Sequence, residues 1–166
     1  MSKNLNRNEI ERYSRQIILK NIGIAGQKKI LNSKILIIGA GGLGCPVVDN
    51  LTRSGVKNIT IADHDKVSLS NLHRQTMYNT NDIGKFKVDV VKKKIKKINP
   101  FSKINIIKKK ITSANLSKII NKFDILVDGS DNFKTKFLLN DYSVKYKKVL
   151  IVGAISKFDG HIFNFN

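Results

Sequence analysis

A glycine-rich turn is the segment of this sequence with the clearest chemical meaning. Residues 39–44 read G-A-G-G-L-G and match the pattern G-x-G-x-x-G. A β-branched run precedes this turn and a helical pattern follows it, which is the context that gives the motif weight. There, glycines let the backbone approach phosphate groups, while the helix N-terminus offers unpaired N–H groups and a positive dipole end. We therefore predict that Gly39, Gly41, Gly42 and Gly44 bind a nucleotide.

An acidic residue at the end of the next predicted strand supports the same interpretation. Asp63 stands about where such folds place the carboxylate that accepts hydrogen bonds from ribose hydroxyls. In the alternative interpretation, the glycines serve only the close approach of strand and helix, which the complete strand–turn–helix context disfavours. The turn and the acid together predict a nucleotide, but they do not decide between NAD and ATP.

Polar and charged side chains follow other predicted strands. Asn71, Arg74 and Gln75 come after the second strand, near the carboxyl ends of the strands, where α/β folds bind ligands. Lys87 lies in the first turn of the next helix, and Asp131 follows the fourth strand. A phosphate-handling enzyme needs such groups, whereas a hydride-transfer enzyme does not.

One further arginine, Arg15, lies in a helical pattern before the first strand. Taken singly, each of these charged residues has an ordinary alternative role. Arg15 could be a surface helix residue, Lys87 one solvated lysine among many, and Asp131 or Asn132 the N-cap of a helix. Their occurrence together favours a nucleotide site.

The elements that must position these residues alternate between β-branched runs and helical patterns, after a helical lead-in around residues 9–20. This alternation is typical of βαβ units and predicts an α/β fold, with a Rossmann-like, doubly wound, mostly parallel sheet covered on both faces. A further strand is predicted from residue 160 to residue 166. The expected strands are Lys34–Ile38, Asn58–Ala62, Ile104–Lys108, Asp124–Asp128 and Val149–Val152. The expected helices between them are Leu43–Ser54, Lys85–Ile98, Ser113–Asn121 and Phe133–Lys145.

The composition limits the organisation of the chain. With 166 residues, of which 41% are hydrophobic, we expect one core and one domain spanning residues 1–166. The lone cysteine, Cys45, excludes an internal disulfide and a multi-cysteine metal site, and favours a reducing, cytoplasmic location. The longest apolar stretch, residues 35–48, is interrupted by glycines, so we expect no membrane span.

A formal net charge of +19 raises the question of nucleic-acid binding. Lysine greatly outnumbers arginine and is scattered along the chain, as compositional bias would produce. The densest run, residues 92–97, alternates with apolar residues at helical spacing and is interpreted as a solvated helix face. We therefore do not expect a nucleic-acid partner.

The motifs between Arg12 and Phe163 occur in a fixed order. They read R-Y-S-R-Q-I, G-x-G-G-L-G, a strand ending in aspartate, S-L-S-N-L-x-R-Q, a lysine in the following helix, and D-x-x-D-N. This series resembles the MoeB/ThiF/HesA family of adenylyltransferases, which share their adenylating fold with the ubiquitin-activating enzymes. The resemblance covers nearly the whole chain.

The resemblance implies a role for each matching residue. ATP would lie over the glycine turn, with its ribose at Asp63 and with Mg²⁺ held by Asp131. Arg15 would reach the ATP of a second subunit, which implies a homodimer. The residues implied to bind the nucleotide are Gly39, Gly41, Gly42, Gly44, Asp63, Asn71, Arg74, Gln75 and Lys87, and those implied to take part in catalysis are Arg15, Arg74, Lys87 and Asp131.

The resemblance also implies a reaction. The C-terminal glycine carboxylate of a ubiquitin-like sulfur carrier, MoaD-like or ThiS-like, would attack the α-phosphorus of ATP and release pyrophosphate, in molybdopterin or thiamine biosynthesis. The nucleophile is already an anion, so no general base is needed. Catalysis would consist of aligning two mutually repelling anions and neutralising their charge.

The sequence departs from the family beyond this region. The carrier-binding segment of the relatives and the two C-x-x-C pairs of their zinc site are absent from it, and Cys45 is interpreted as a small apolar filler. Three alternatives stay open: an NAD-dependent oxidoreductase, a tRNA-modifying dehydratase of the same superfamily, and a truncated, non-catalytic nucleotide-binding remnant.

Overall fold

The computed structural model describes residues 5–165, and its central feature is a six-stranded sheet with the order β3-β2-β1-β4-β5-β6. The strands are β1 (Lys34–Ile38), β2 (Asn58–Ala62), β3 (Lys103–Ile107), β4 (Ile125–Asp128), β5 (Val149–Ser156) and β6 (Asp159–Phe165). The helices are α1 (Arg7–Arg12), α2 (Ser14–Ile17), α3 (Gly23–Asn32), α4 (Gly44–Ser54), α5 (Lys87–Ile98), α6 (Ser113–Ile119) and α7 (Phe133–Tyr146). Short 3-10 turns lie at Leu69–Asn71, Thr80–Asp82 and Ile120–Lys122.

The sheet is parallel except for its last strand. The pairs β1–β2, β1–β4, β2–β3 and β4–β5 are parallel, and β6 pairs with β5 in the antiparallel direction. From β1 the chain builds outward through β2 and β3, then returns to place β4 on the other side of β1. This reversal between β1 and β4 opens a crevice at the carboxyl ends of the strands, which is the usual ligand position in such folds.

The central strands of the sheet are covered on both faces, where alternate residues point to opposite sides, whereas β6 is exposed along its length. Ile35 and Ile37 pack into a core cluster with residues of α4 and α5, whereas Leu36 and Ile38 pack with residues of α6 and α7. Strands buried on both faces are continuous β-branched and leucine runs, as in Lys34–Ile38. The predicted doubly wound α/β fold is confirmed.

The helical lead-in differs from the single helix predicted around residues 9–20. It is split at Tyr13, which is buried and whose hydroxyl accepts a hydrogen bond from Asn99 Nδ2 at 2.9 Å. A third helix, α3, follows and was not predicted. Because Asn99 lies 86 residues away in the sequence, local periodicity could not reveal this contact.

The other predicted boundaries shift by small amounts. The helix predicted from Lys85 begins at Lys87, since Lys85 N–H donates to Asp82 O in a turn that precedes it. β5 extends beyond Val152 to Ser156 because it forms a hairpin with β6. Asn166, the last residue of the predicted sixth strand, lies outside the described residues. Within residues 5–165 no helix combines the length and the apolar character required to cross a bilayer.

Candidate functional site

The carboxyl ends of the strands surround a cavity of about 1030 Å³. Its walls come from the segments after β1, β2 and β4, from the starts of α5 and α7, and from β5 and β6. A volume at the upper end of the roughly 300–1,000 Å³ found for small-molecule sites leaves room for a large ligand or for two reactants together. The predicted ligand position at this edge of the sheet therefore coincides with a real cavity.

Two glycines of the turn are required by contacts inside the protein. Gly39 has a φ of +93°, and a Cβ there would lie 2.7 Å from Gly129 O. A Cβ on Gly44 would lie 1.9 Å from Gly39 O. Since neither position tolerates a side chain, these glycines let the end of β1, the start of α4 and the end of β4 approach one another.

The other two glycines have no such requirement. A Cβ on Gly41 would come no closer than 3.7 Å to Gln75 Nε2, and one on Gly42 no closer than 3.7 Å to Arg74 side-chain atoms. Both residues line the cavity. The interpretation in which the glycines serve packing alone therefore accounts for Gly39 and Gly44, but it does not account for Gly41 and Gly42.

Asp63 connects the glycine turn to the second strand. Its Oδ2 accepts the N–H of Ala40 at 2.7 Å and its Oδ1 accepts the N–H of Asp65 at 2.7 Å. The residue is buried but lines the cavity. A carboxylate has about four acceptor positions, so each oxygen retains capacity for a further donor such as a ribose hydroxyl.

Two of the predicted cationic side chains, Lys87 and Arg74, face the cavity from different elements. Lys87, at the first position of α5, is buried, and its Nζ lies 3.1 Å from Asp65 Oδ2. Arg74 is exposed and donates from Nη1 to Ser70 O at 3.1 Å. The Asp65 side chain is 54% exposed, so an incoming anion could replace it as the partner of Lys87 at small cost.

Asn71 and Gln75 also line the cavity, and Gln75 carries an unused acceptor. Its residue surface is only 3% exposed, yet Oε1 has no hydrogen-bond partner among residues 5–165. Ser130 Oγ, in the segment after β4, is also buried and has no hydrogen-bond partner among the described residues. Buried polar atoms are normally hydrogen-bonded, so these two atoms are where a polar ligand would compensate an existing deficit.

Asp131 and Asn132 have different positions. Asn132 is the N-cap of α7, and its Oδ1 accepts the N–H of Thr135 at 2.9 Å. Asp131 is exposed, lines the cavity, and its side chain has no hydrogen bond or ion pair within residues 5–165. The capping alternative therefore applies to Asn132, and Asp131 is left available for a cation.

Two predicted site residues, Arg15 and Gly44, are absent from the cavity walls formed by the described residues. Gly44 is buried against the backbone of Gly39, so its role is in packing. Arg15 lies on α2 and is exposed.

Several residues of the cavity had no predicted role, although Asp128 begins the D-x-x-D-N motif. Those that line the cavity are Ser130, Lys136, Lys109, Lys110, His161 and Phe163, and Asp128 contacts Lys136. Asp128 and Lys136 form an ion pair of 3.0 Å between Oδ2 and Nζ. Asp128 and Lys136 are eight residues apart, a spacing that has no periodic signal in the sequence. The position of Asp128 at the end of a predicted strand was the one local sign that it lies near the cavity.

Cys45 lies beneath the turn. It is fully buried, and its Sγ donates to Ala40 O at 3.3 Å. Burial raises the pKa of the Cys45 thiol, so the reactive thiolate is disfavoured. The residue acts as a filler, as its sequence context predicted.

A group of three residues whose side chains are of types that can bind a metal ion also lies at the edge of the cavity. Ligand atoms of Asp63, His64 and Asp65 lie within 4.8 Å of one another. Asp63 already accepts two backbone N–H groups, and Asp65 pairs with Lys87. This arrangement is better explained as part of the hydrogen-bonding frame of the cavity than as a metal centre.

Comparison with known proteins gives consistent matches. The profile of the ThiF family matches residues 13–166. The chain is 40% identical over 158 residues to a sulfur carrier protein adenylyltransferase of Thermus thermophilus, covering 95% of this chain and 58% of that protein. It is 43% identical to a probable molybdopterin-synthase adenylyltransferase of Gracilaria tenuistipitata var. liui, over 95% of this chain and 44% of the relative.

Solved structures share the fold. E. coli MccB with ATP has a TM-score of 0.77 at 29% identity, with 86% of this chain and 44% of that chain covered. E. coli tRNA N6-threonylcarbamoyladenosine dehydratase has a TM-score of 0.84 at 23% identity, over 93% and 65% of the two chains, which shows likeness of fold alone. The chain spans about half the length of the curated relatives described above.

Proposed function

The chain belongs to the ThiF family, and from that premise we propose that it adenylates the C-terminal carboxylate of a ubiquitin-like sulfur-carrier protein with ATP. The names of the two relatives described above support adenylyl transfer to a sulfur carrier or in molybdopterin synthesis. The similar MccB structure with ATP supports the choice of ATP as the nucleotide. Because the relatives are longer than this chain, the whole reaction is a proposal.

The observation that carries the proposal is the different status of the four glycines. At Gly39 and Gly44, neighbouring backbone atoms leave no space for a side chain. Gly41 and Gly42 instead leave open surface that faces Arg74 and the cavity. Backbone N–H groups at a helix N-terminus, opposite a guanidinium and the Lys87 ammonium, form a site suited to several phosphate groups. A ligand without phosphates would leave these groups unused.

The proposed reaction uses the residues as an electrostatic clamp. Gly41, Gly42, Asn71, Arg74 and Lys87 would hold the triphosphate while the carrier carboxylate attacks the α-phosphorus. The new bond joins a carboxylate oxygen to phosphorus, and the bond to pyrophosphate breaks, giving an acyl-adenylate. The carboxylate needs no proton removed, so the cations have the main task of reducing repulsion between the two anions.

Asp63 and Asp131 have separate proposed roles. Asp63 would accept a hydrogen bond from a ribose hydroxyl with the acceptor capacity that its two backbone contacts leave. Asp131 would hold Mg²⁺, for which a free, exposed carboxylate at the cavity is a fitting ligand. When bound, this ion neutralises charge that develops on phosphoryl oxygens.

Arg15 is proposed to act in a homodimer. Arg15 is exposed and is not among the described residues that line the cavity of its own chain, so its guanidinium would complete the site of the partner subunit. Arginine suits this task because its planar fork binds phosphate oxygens in pairs.

The tRNA-modifying alternative receives less support than the carrier-activating one. The chain is 23% identical in sequence to the tRNA dehydratase, against 40% and 43% for the two adenylyltransferases.

The substrate test is to incubate the chain with ATP, Mg²⁺ and a carrier ending in Gly-Gly, with hydroxylamine as a trap for the acyl-adenylate. We expect a carrier hydroxamate, and none with a carrier lacking its last glycine; a hydroxamate formed equally with both carriers would contradict the proposal.

A further inference from the structure

One lysine at the wall of the cavity joins the end of β4 to the middle of β5. Lys136 Nζ donates to Asp128 Oδ2 at 3.0 Å and to Gly153 O at 2.9 Å. The Asp128 side chain is 0% exposed and that of Lys136 is 18% exposed. Lys136 belongs to the first turn of α7, so a single ammonium connects this helix to two neighbouring strands.

The same aspartate fixes the segment that follows β4. Asp128 Oδ1 accepts the N–H of Ser130 at 2.8 Å, and Gly129 N–H donates to Ile38 O at 2.8 Å. On the other side, Asn132 caps α7. The backbone is thus held both before and after Asp131, whose own side chain lines the cavity and has no bonding partner among the described residues.

Lys136 is poorly suited to act as one more phosphate-binding cation. Two of its three ammonium hydrogens already have acceptors, and its charge is balanced by Asp128. The contrast with Lys87 is informative, because the partner of Lys87 is a largely exposed carboxylate that can be solvated when the pair opens. Opening the Lys136 pair would instead leave the fully buried Asp128 carboxylate uncompensated, which is strongly unfavourable.

We propose that Lys136 is a positioning residue that, through Asp128 and Gly153, holds segment 129–132 so that Asp131 is presented to the divalent cation accompanying the triphosphate. This inference rests on the proposed function, since it assumes that the cavity binds ATP with a metal. Groups that orient a metal-binding carboxylate change metal affinity without touching the metal. The sequence alone did not indicate Lys136.

The test is calorimetric titration of ATP into the protein with and without Mg²⁺, which reports binding apart from turnover. For wild type we expect Mg²⁺ to tighten ATP binding. In Lys136→Met this Mg²⁺-dependent gain should fall by on the order of tenfold, while metal-free ATP binding changes little. Lys136→Arg should restore most of the gain, because a guanidinium can donate to both Asp128 and Gly153.

Lys57→Met is the matched control. Lys57 Nζ pairs with Glu9, another carboxylate with a buried side chain, on the lead-in helix and outside the cavity walls. This variant should lose thermal stability and retain the Mg²⁺-dependent gain. An equal loss of the gain in Lys57→Met and Lys136→Met would overturn the inference, since the effect would then be general loosening.

Asp128→Asn provides a second way to weaken the same contact if Lys136→Met does not fold, as judged by circular dichroism. It should reduce the gain in the same direction as Lys136→Met. If wild type binds Mg²⁺–ATP and folded Lys136→Met or Asp128→Asn keeps the full Mg²⁺-dependent gain in ATP affinity, the role of Lys136 is overturned. The proposed function would not be affected by that result. Absence of ATP binding by wild type would overturn the proposed function and with it this inference.

Discussion

Asp63 Oδ2 accepts the backbone N–H of Ala40 at 2.7 Å, which ties the end of β2 to the glycine turn after β1. The same Ala40 presents its carbonyl oxygen to the Tyr78 hydroxyl at 2.7 Å. A turn held at both its N–H and C=O groups keeps the neighbouring glycine amides oriented before any ligand arrives. Such preorganisation lowers the cost of binding a phosphate group.

The two kinds of glycine should respond differently to alanine. Gly44→Ala places a Cβ 1.9 Å from Gly39 O, so we expect a loss of about 1–3 kcal/mol or more in unfolding free energy. Gly42→Ala meets only ordinary contacts and should change that free energy by less than about 0.5 kcal/mol. Its methyl group faces the cavity, however, and should weaken ATP binding roughly tenfold, or ~1.4 kcal/mol.

Urea unfolding and ATP titration of both variants check this prediction. Wild-type ATP affinity in folded Gly42→Ala would show that the open surface of the turn is not used for phosphates.

Arg15 and Lys87 should complement each other across a dimer. Arg15→Ala and Lys87→Ala are each expected to abolish most carrier-dependent turnover. After the two variants are mixed and allowed to exchange subunits, one site of each mixed dimer has both residues intact, so activity should return to about a quarter of wild type. Assay of the mixture against the separate variants tests this, and no recovery despite demonstrated subunit exchange would argue that Arg15 does not act across subunits.

Glu9 should contribute to acid sensitivity. Burial raises its pKa, but hydrogen bonds from Lys57 and the Asn6 N–H, with the charge of Lys57, outweigh burial and hold the pKa below its ordinary value of 4.5. A lowered folded-state pKa gives stability that is present above pH 4.5 and is lost as pH falls through the lower value.

The free energy of unfolding of Glu9→Gln should therefore depend less on pH in this acid window than that of wild type. Denaturant titrations at a series of pH values provide the comparison, and parallel curves for the two proteins would remove Glu9 from the acid response.

Cys45 should be unreactive in the folded chain. Its thiol is buried and its pKa is raised by that burial, so a thiol reagent should label it only after unfolding. Labelling rates with and without denaturant measure this difference. Because the residue is interpreted as a filler, Cys45→Ala should retain adenylation activity; rapid labelling of the native protein would contradict the burial on which this prediction depends.

The parts of the fold that were predictable are those with local signals. After their first residues, Lys34 and Asn58, the runs Lys34–Ile38 and Asn58–Ala62 are continuous apolar or β-branched segments, because both faces of these strands are buried. Their bounds match those of β1 and β2. The break at Tyr13 has no local signal in the sequence, and the hydroxyl of Tyr13 is bonded to a side chain 86 residues away.

The candidate site shows the same division. The glycine turn and the residues after each strand could be brought together from topology alone, because carboxyl ends of parallel strands meet at one edge. The sequence could not distinguish Gly39 from Gly41, which depends on the position of Gly129. Nor could it reveal the ion pair of Asp128 and Lys136, which matters because the Asp128 carboxylate is fully buried.

The most direct test of the central claim is exchange of labelled pyrophosphate into ATP with Mg²⁺, with and without carriers ending in Gly-Gly. We expect carrier-dependent exchange by wild type, and its loss in Arg74→Ala and Asp131→Ala, because these residues are proposed to hold the triphosphate and its metal. Tight binding of NAD by wild type, with neither ATP binding nor exchange, would contradict the account.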